Sequence, residues 1–296
     1  MGDFLRKQGL LILQKEKYAF LLTAVFCFIP MASWLSIAIM ALVTLRNGAH
    51  AGFKVGVIGV TASLIDASLN QFFSQAVQEI VLIYILTFIA AWVLRTWSHL
   101  QQVIDGLLFC ILSQIVIMHW IMPEQITKDL SVFLAVLSKI NQGNHIAEIL
   151  NKETLKDLIA SYFFGIKNLV LLLSVVFPLM MARYIQSLIF YPEGFKKELL
   201  SFRANPLVVF VMTICILGAY QHYTLAVSAL PTLISYVTAA GIILSFNVLH
   251  KKQGKLTLLI ILIPLLVVPY IILPIYVVFG TLDSLFNFRN KRIRGG

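Results

Sequence analysis

Two carboxylates, Asp66 and Glu79, lie in or beside long apolar runs of this 296-residue chain, with only the uncharged stretch 70–78 between them. A carboxylate at mid-bilayer costs roughly 2.5–3.5 kcal/mol on insertion scales, so one retained there is a candidate for holding a cation or a proton. Two close together repel and raise one pKa, which suits the same task. Asp66 also stands about one helical turn from the end of its run, where a side chain can snorkel to water. Arg183 and Gln186, three residues apart, share a helix face. Facing a cavity they could bind a ligand, and at the membrane surface Arg183 meets lipid phosphate. Asp66, Glu79, Arg183 and Gln186 are therefore the ligand-binding candidates. Lys167 and Asn168 lie one to two turns into the run 160–190, which carries that arginine near its other end. Asn247 reads as a helix–helix hydrogen-bond donor. His119 and His222 stand near the ends of runs without a second ligand at helical spacing, and Cys27, Cys110 and Cys215 read as small buried hydrophobes. No metal or cofactor site emerges. Walker A, HExxH, GxSxG and paired HxE/CxxC patterns are missing from the sequence, so no enzyme is expected and ATP-driven work would need a separate subunit.

The elements that must position these residues are membrane helices. Apolar side chains make up 59% of the chain, charged ones 12%, and the mean hydropathy is +0.90. Soluble domains carry about 25% charged residues. This balance excludes a soluble domain, a disordered chain and a disulfide scaffold, and the net charge of +10 is not that of a nucleic-acid binder. The expected class is an all-α, polytopic membrane protein: one integral domain over 1–296 with about eight to ten membrane helices, in contact with the lipid bilayer. Apolar stretches cover 18–45, 52–69, 78–94, 103–121, 160–190, 206–220, 225–249 and 256–280. The basic segment 1–17 precedes the first stretch as in a signal peptide, but the stretch runs on to Leu45 without a small-residue cleavage site and is expected to stay as an anchor.

That first stretch would be about 42 Å long as one helix, against a core of about 30 Å, and Pro30 interrupts it. Read as a bent pair, it returns Arg46 and Lys54 to the side of Arg6, Lys7, Lys15 and Lys17. Arg95, then Arg183, Lys196, Lys197 and Arg203, then Lys251, Lys252 and Lys255 follow to the same, cytoplasmic side, as the positive-inside rule requires. Segment 123–157 falls outside, with Lys128, Lys139, Lys152 and Lys156 against Glu124, Asp129, Glu148, Glu153 and Asp157. Pro264, Pro269 and Pro274 break the last stretch, so it too reads as a bent pair that leaves the basic tail 281–296 in the cytoplasm. Both termini are thus expected on the cytoplasmic side of the membrane.

Outside the core, 123–157 reads as an amphipathic helical cap: Leu130, Phe133, Leu134, Leu137 and Ile140 recur at helical spacing, Gly143 and Asn144 interrupt, and Asn151 caps a second helix. It either lies on the outer leaflet or closes over an outward cavity. Segment 191–203 reads as a cytoplasmic interfacial helix after the turn 191–194, with Phe195, Leu199 and Phe202 on one face. Tyr191, Pro192, Gly194, Phe195, Glu198, Arg203, Asp283, Phe286 and Arg289 are candidates for contact with the membrane surface or with a membrane or cytoplasmic protein partner. Gly52, Gly56, Gly59, Ser63 and Ala67 recur every three or four residues, a small-residue stripe that admits a second helix closely.

Ala182-Arg183-Tyr184 with Gln186, the turn Tyr191-Pro192-Glu193-Gly194-Phe195, Glu198, Arg203 and the ending Leu282-Asp283-Ser284-Leu285-Phe286-Asn287-Phe288-Arg289 resemble the YybS-like family of uncharacterised bacterial inner-membrane proteins, over nearly the whole chain. Relative to that family's pattern, Tyr191 directly precedes the proline, Glu193 replaces a glycine and Asn287 an aspartate. The first half, with its broken opening stretch, Arg46-Asn47-Gly48 turn and small-residue helix, is also similar to the substrate-binding components of energy-coupling-factor transporters and to the shape-determining MreD proteins. The AxxxA docking pattern common in the first helix of those components is not matched by Ala19 and Ala24. The first resemblance implies an inner-membrane protein without an assigned activity. The second implies a small-molecule binding or transport component. The alternative is a membrane scaffold that recruits a partner through its cytoplasmic interfacial helices.

Overall fold

The computed structural model describes residues 2–29, 31–69, 73–140, 153–253 and 257–286, and among them the chain is all-α. In chain order the helices are α1 (Gly2–Gln14), α2 (Glu16–Phe28), α3 (Ser33–Asn47), α4 (Ala49–Leu69), α5 (Phe73–Trp97), α6 (Leu100–Ile121) and α7 (Pro123–Ile140). There follow α8 (Glu153–Phe190), α9 (Gly194–Ser201), α10 (Pro206–Tyr220), α11 (Thr224–Gln253), α12 (Thr257–Val267) and α13 (Pro269–Phe286). Six of them, α4, α5, α6, α8, α11 and α13, are long and apolar enough to cross a bilayer; α9 with α10, bent by 45°, makes a seventh if the two form one span. The shorter helix α3 is also apolar. The protein is an integral, multi-pass membrane protein.

The helices pack as two compact units. Unit 1 comprises Met1–Leu107 and Leu171–Leu199, and unit 2 comprises Leu108–Val170 and Leu200–Gly296.

In unit 1 the opening apolar stretch is divided, α2 ending at Phe28 and α3 starting at Ser33. Pro30 lies outside the described residues, and Met31 beside it takes φ 64°, a left-handed conformation that a helix cannot continue. At about 20 Å, α2 is too short for a core of about 30 Å. The pair turns back. The Asn47 amide at the end of α3 donates to the Leu13 carbonyl at the end of α1 (3.3 Å). Arg95, in the last turn of α5, donates to the carbonyls of Thr44 (3.3 Å) and Arg46 (3.1 Å), satisfying acceptors that the end of α3 leaves open. Gly48 turns the chain there at φ 106°, close against the same guanidinium. The Arg46 guanidinium lies 3.9 Å from the centroid of Phe190 at the end of α8. Five helix ends thus meet at one basic pole of unit 1.

The small residues of α4 admit α3 and α5. A Cβ on Gly52 would lie 2.9 Å from the Thr44 Cα, one on Gly56 2.9 Å from the Met40 sulfur, and one on Gly59 2.6 Å from the Tyr84 ring. Gly52, Gly56, Gly59 and Ala67 are buried and Ser63 half-buried.

Unit 2 is built on a close crossing of α11 and α13. A Cβ on Gly241 would stand 2.8 Å from the Tyr276 carbonyl carbon, and one on Gly280 would stand 3.1 Å from the Gly241 nitrogen, so the two backbones touch. The last apolar stretch divides between Val267 and Pro269, and the Tyr276 hydroxyl of α13 donates to the Ile261 carbonyl of α12 (3.2 Å). This pair also returns: Asn247 of α11 donates to the Leu200 carbonyl (2.7 Å), and Arg203 donates to the Ser284 carbonyl of α13. The ends of α11 and α13 therefore both meet segment 200–203. Asn205 opens α10 as an N-cap, accepting from the Leu207 amide (3.0 Å), with Pro206 in the first turn.

Candidate functional site

The amphipathic helix α7 starts directly after α6 and lies along α8. Phe133 meets Phe163 at 4.7 Å between ring centroids, and Lys167 donates to Asp129 at 2.9 Å. Where α7 leaves α6, a groove of about 310 Å³ opens between the end of α6, the first turns of α7 and α8, and the start of α11. Such a volume is at the lower end of the range of small-molecule sites. Its polar wall is His119, Glu124, Thr127, Asp157, Ser161 and Thr224; Pro123, Ile126 and Ala160 supply apolar surface.

Each position follows from the helix that carries it. Asp157 and Ser161, four apart on α8, project on one face, and Glu124 sits in the first turn of α7, where a carboxylate is favoured by the helix dipole. In the last turn of α6, His119 Nδ1 lies 3.0 Å from the Ile115 carbonyl and Nε2 3.3 Å from the Ser228 hydroxyl; a neutral imidazole has a single N–H, which the Ile115 carbonyl can accept. Ser228 itself donates to the Ser161 carbonyl (2.8 Å), joining α6, α8 and α11 into one framework. The Thr127 hydroxyl donates to the Glu124 carbonyl (2.9 Å). Ser161 is only 3% exposed, and its hydroxyl has no hydrogen-bond partner among the described residues. Glu124 and Asp157 are exposed at the rim. The groove therefore presents two carboxylates and the Ser161 hydroxyl, with no lysine or arginine among its lining residues. Groups of three or more metal-ligating side chains are absent among the described residues.

A second polar cluster lies inside unit 1, where α2, α3, α4 and α5 meet. The Ser36 and Tyr84 hydroxyls are 2.7 Å apart, the Ser63 hydroxyl lies 3.4 Å from Tyr84 and donates to the Cys27 sulfur (3.3 Å), and the Cys27 thiol lies within 3.2 Å of the Ser36 hydroxyl and the Thr23 carbonyl. These neutral groups satisfy one another across four helices, packed closely enough that a methyl group on Gly59 would run into the Tyr84 ring. The cluster is helix-packing polarity rather than a binding site.

The ligand-binding candidates of the sequence do not gather in the groove. Asp66 is half-buried near the end of α4 and Glu79 exposed near the start of α5; neither lines it. Arg183 and Gln186 do come together, but with each other and with α9: Arg183 donates to Glu198 through Nε (3.0 Å) and Nη2 (2.5 Å), and to the Gln186 side-chain oxygen through Nη1 (2.8 Å). The Arg183–Glu198 pair holds α9 on α8, and Gln186 orients the guanidinium.

Phe195 packs edge-on against Tyr184 (5.6 Å), and its amide donates to the Ser187 hydroxyl (3.1 Å), which in turn donates to the Tyr191 carbonyl (2.9 Å). Tyr191 and Pro192 are exposed, and Gly194 is half-buried. Asp283 is fully buried beside Ser284, the residue whose carbonyl accepts from Arg203. Asp283 thus belongs to the interior of unit 2, while Arg203 is half-buried. Phe286 is exposed at the end of α13, and Arg289 lies outside the described residues.

Glu124, Thr127, Asp157, Ser161 and Thr224 are the site residues that sequence reasoning does not select. The i, i+4 spacing of Asp157 and Ser161 is the available signal, but exposed acids near helix starts are common and carry no message until a cavity joins them. Comparison of the chain with protein-family models, with curated proteins and with solved structures returned no match.

Proposed function

We propose that this protein is a small-solute binding or transport component of a bacterial inner membrane, with both termini in the cytoplasm and α7 closing over an external solute site. The observation that carries the reading is the groove under the start of α7, where Ser161, a buried residue whose hydroxyl has no hydrogen-bond partner among the described residues, lines a mostly apolar space of about 310 Å³ beside two carboxylates. A buried polar group is normally hydrogen-bonded, and one left open beside a cavity is suited to a ligand or to water. The resemblance to substrate-binding transport components and to the YybS-like family agrees with it. Orientation rests on charge: of 23 Lys and Arg, all but Lys128, Lys139, Lys152, Lys156 and Lys167 fall on the side assigned to the cytoplasm. The scaffold reading loses ground because Glu198, Phe195 and Arg203 are used within the chain's own units.

The test is extraction in native lipids followed by mass spectrometry of co-purifying metabolites and proteins. A bound small solute is expected in the wild-type protein and is lost in Thr127→Trp, which fills the groove from α7 while the protein remains monodisperse. Recovery of a reproducible structural partner with no solute would instead establish the scaffold.

A further inference from the structure

The chemistry of the groove specifies what kind of solute it takes, an inference that rests on the solute-binding reading above. We infer that the groove binds a small alkylammonium ion, its charge held between Glu124 and Asp157, one N–H donated to the Ser161 hydroxyl, and its short apolar stem against Pro123, Ile126 and Ala160.

Three observations converge on a cation of this type. The charged groups lining the space are the two carboxylates, and the lysine on the adjoining face of α8, Lys167, pairs with Asp129 at 2.9 Å. The ionised carboxylates can only accept hydrogen bonds. The Ser161 hydroxyl, 3% exposed and with no partner among the described residues, is free to accept as well. An ammonium carries three donors and no acceptor, so the two sets match. A bare metal ion fits poorly, because no group of three or more His, Cys, Asp or Glu side chains placed to hold one is found among the described residues. The apolar wall favours an organic cation over ammonium itself, and a volume of about 310 Å³ limits it to a few heavy atoms.

Isothermal titration of the full-length protein in nanodiscs of phosphatidylethanolamine and phosphatidylglycerol tests this, with ethylammonium chloride as the cation and sodium propionate as the anion of matching size. Saturable ethylammonium binding is expected. It should weaken at least tenfold in the double variant Glu124→Gln, Asp157→Asn and be unchanged in Glu79→Gln, a carboxylate outside the groove. Should the double variant fail to fold, Glu124→Gln alone, on the exposed face of α7, is expected to weaken binding several-fold. Binding that survives loss of both carboxylates overturns the inference. Propionate binding in place of ethylammonium overturns it too, yet leaves the solute-binding reading standing. Absence of binding for both probes, together with no co-purifying solute, brings down both.

Discussion

Glu193 holds φ 69° in the turn between α8 and α9, a left-handed conformation in which a Cβ costs roughly 1–2 kcal/mol and glycine costs little. Glu193→Gly is expected to raise stability by about 1 kcal/mol, read as an upward shift of the thermal midpoint in detergent. Tyr84 makes a different case. Its hydroxyl joins α5 to Ser36 of α3 and Ser63 of α4, and interhelical hydrogen bonds of this kind contribute about 0.6 kcal/mol on average and about 1.7 at most. Tyr84→Phe should therefore cost about 1 kcal/mol in reversible unfolding without changing solute binding. Sequence alone does not anticipate this cluster. Cys27, Ser36, Ser63 and Tyr84 stand on four separate helices, each a single weakly polar residue in an apolar run, and only packing makes them a unit.

Helices, by contrast, are largely legible in the amino-acid sequence. Length against bilayer thickness, the proline at position 30 and the return of positive charge after Leu45 together require two half-length helices, and α2 and α3 are those helices. What the pattern of apolar residues does not carry is which helix packs on which. The stripe on α4 announces a close neighbour, but that Thr44, Met40 and Tyr84 fill it depends on the fold of unit 1. The closest backbone approach in unit 2, Gly241 against Gly280, has no repeating stripe to signal it. Gly280→Ala forces a methyl group into the Val237 carbonyl and should destabilise unit 2 by about 1–3 kcal/mol, lowering the thermal midpoint and the monodisperse yield. Gly106→Ala is the matched control: a Cβ there has nothing within 4 Å, so helix propensity alone decides and stability is unchanged or slightly higher.

The molecule as a whole contains two broken pairs, α2 with α3 and α12 with α13, each returning to the pole of its own unit from which it started. Such a pair adds apolar helix without changing the side on which the chain continues, and so the number of apolar stretches does not give the topology. A green fluorescent protein fused after Phe286 is expected to fluoresce and alkaline phosphatase at the same point to be inactive, with the opposite result for fusions at Pro123. Phosphatase activity at the C-terminal fusion would reverse the proposed orientation of the tail. The broken opening pair also constrains how the protein is made. Because α2 spans only about 20 Å, it is a poor stop for the insertion machinery, and its partners α4 and α5 emerge from the ribosome later. This short segment must therefore wait at the translocon, shielded from lipid and from cytosol, until α4 and α5 have been added. Biogenesis of this protein should depend on an insertase or chaperone that holds early segments more than its hydropathy alone suggests.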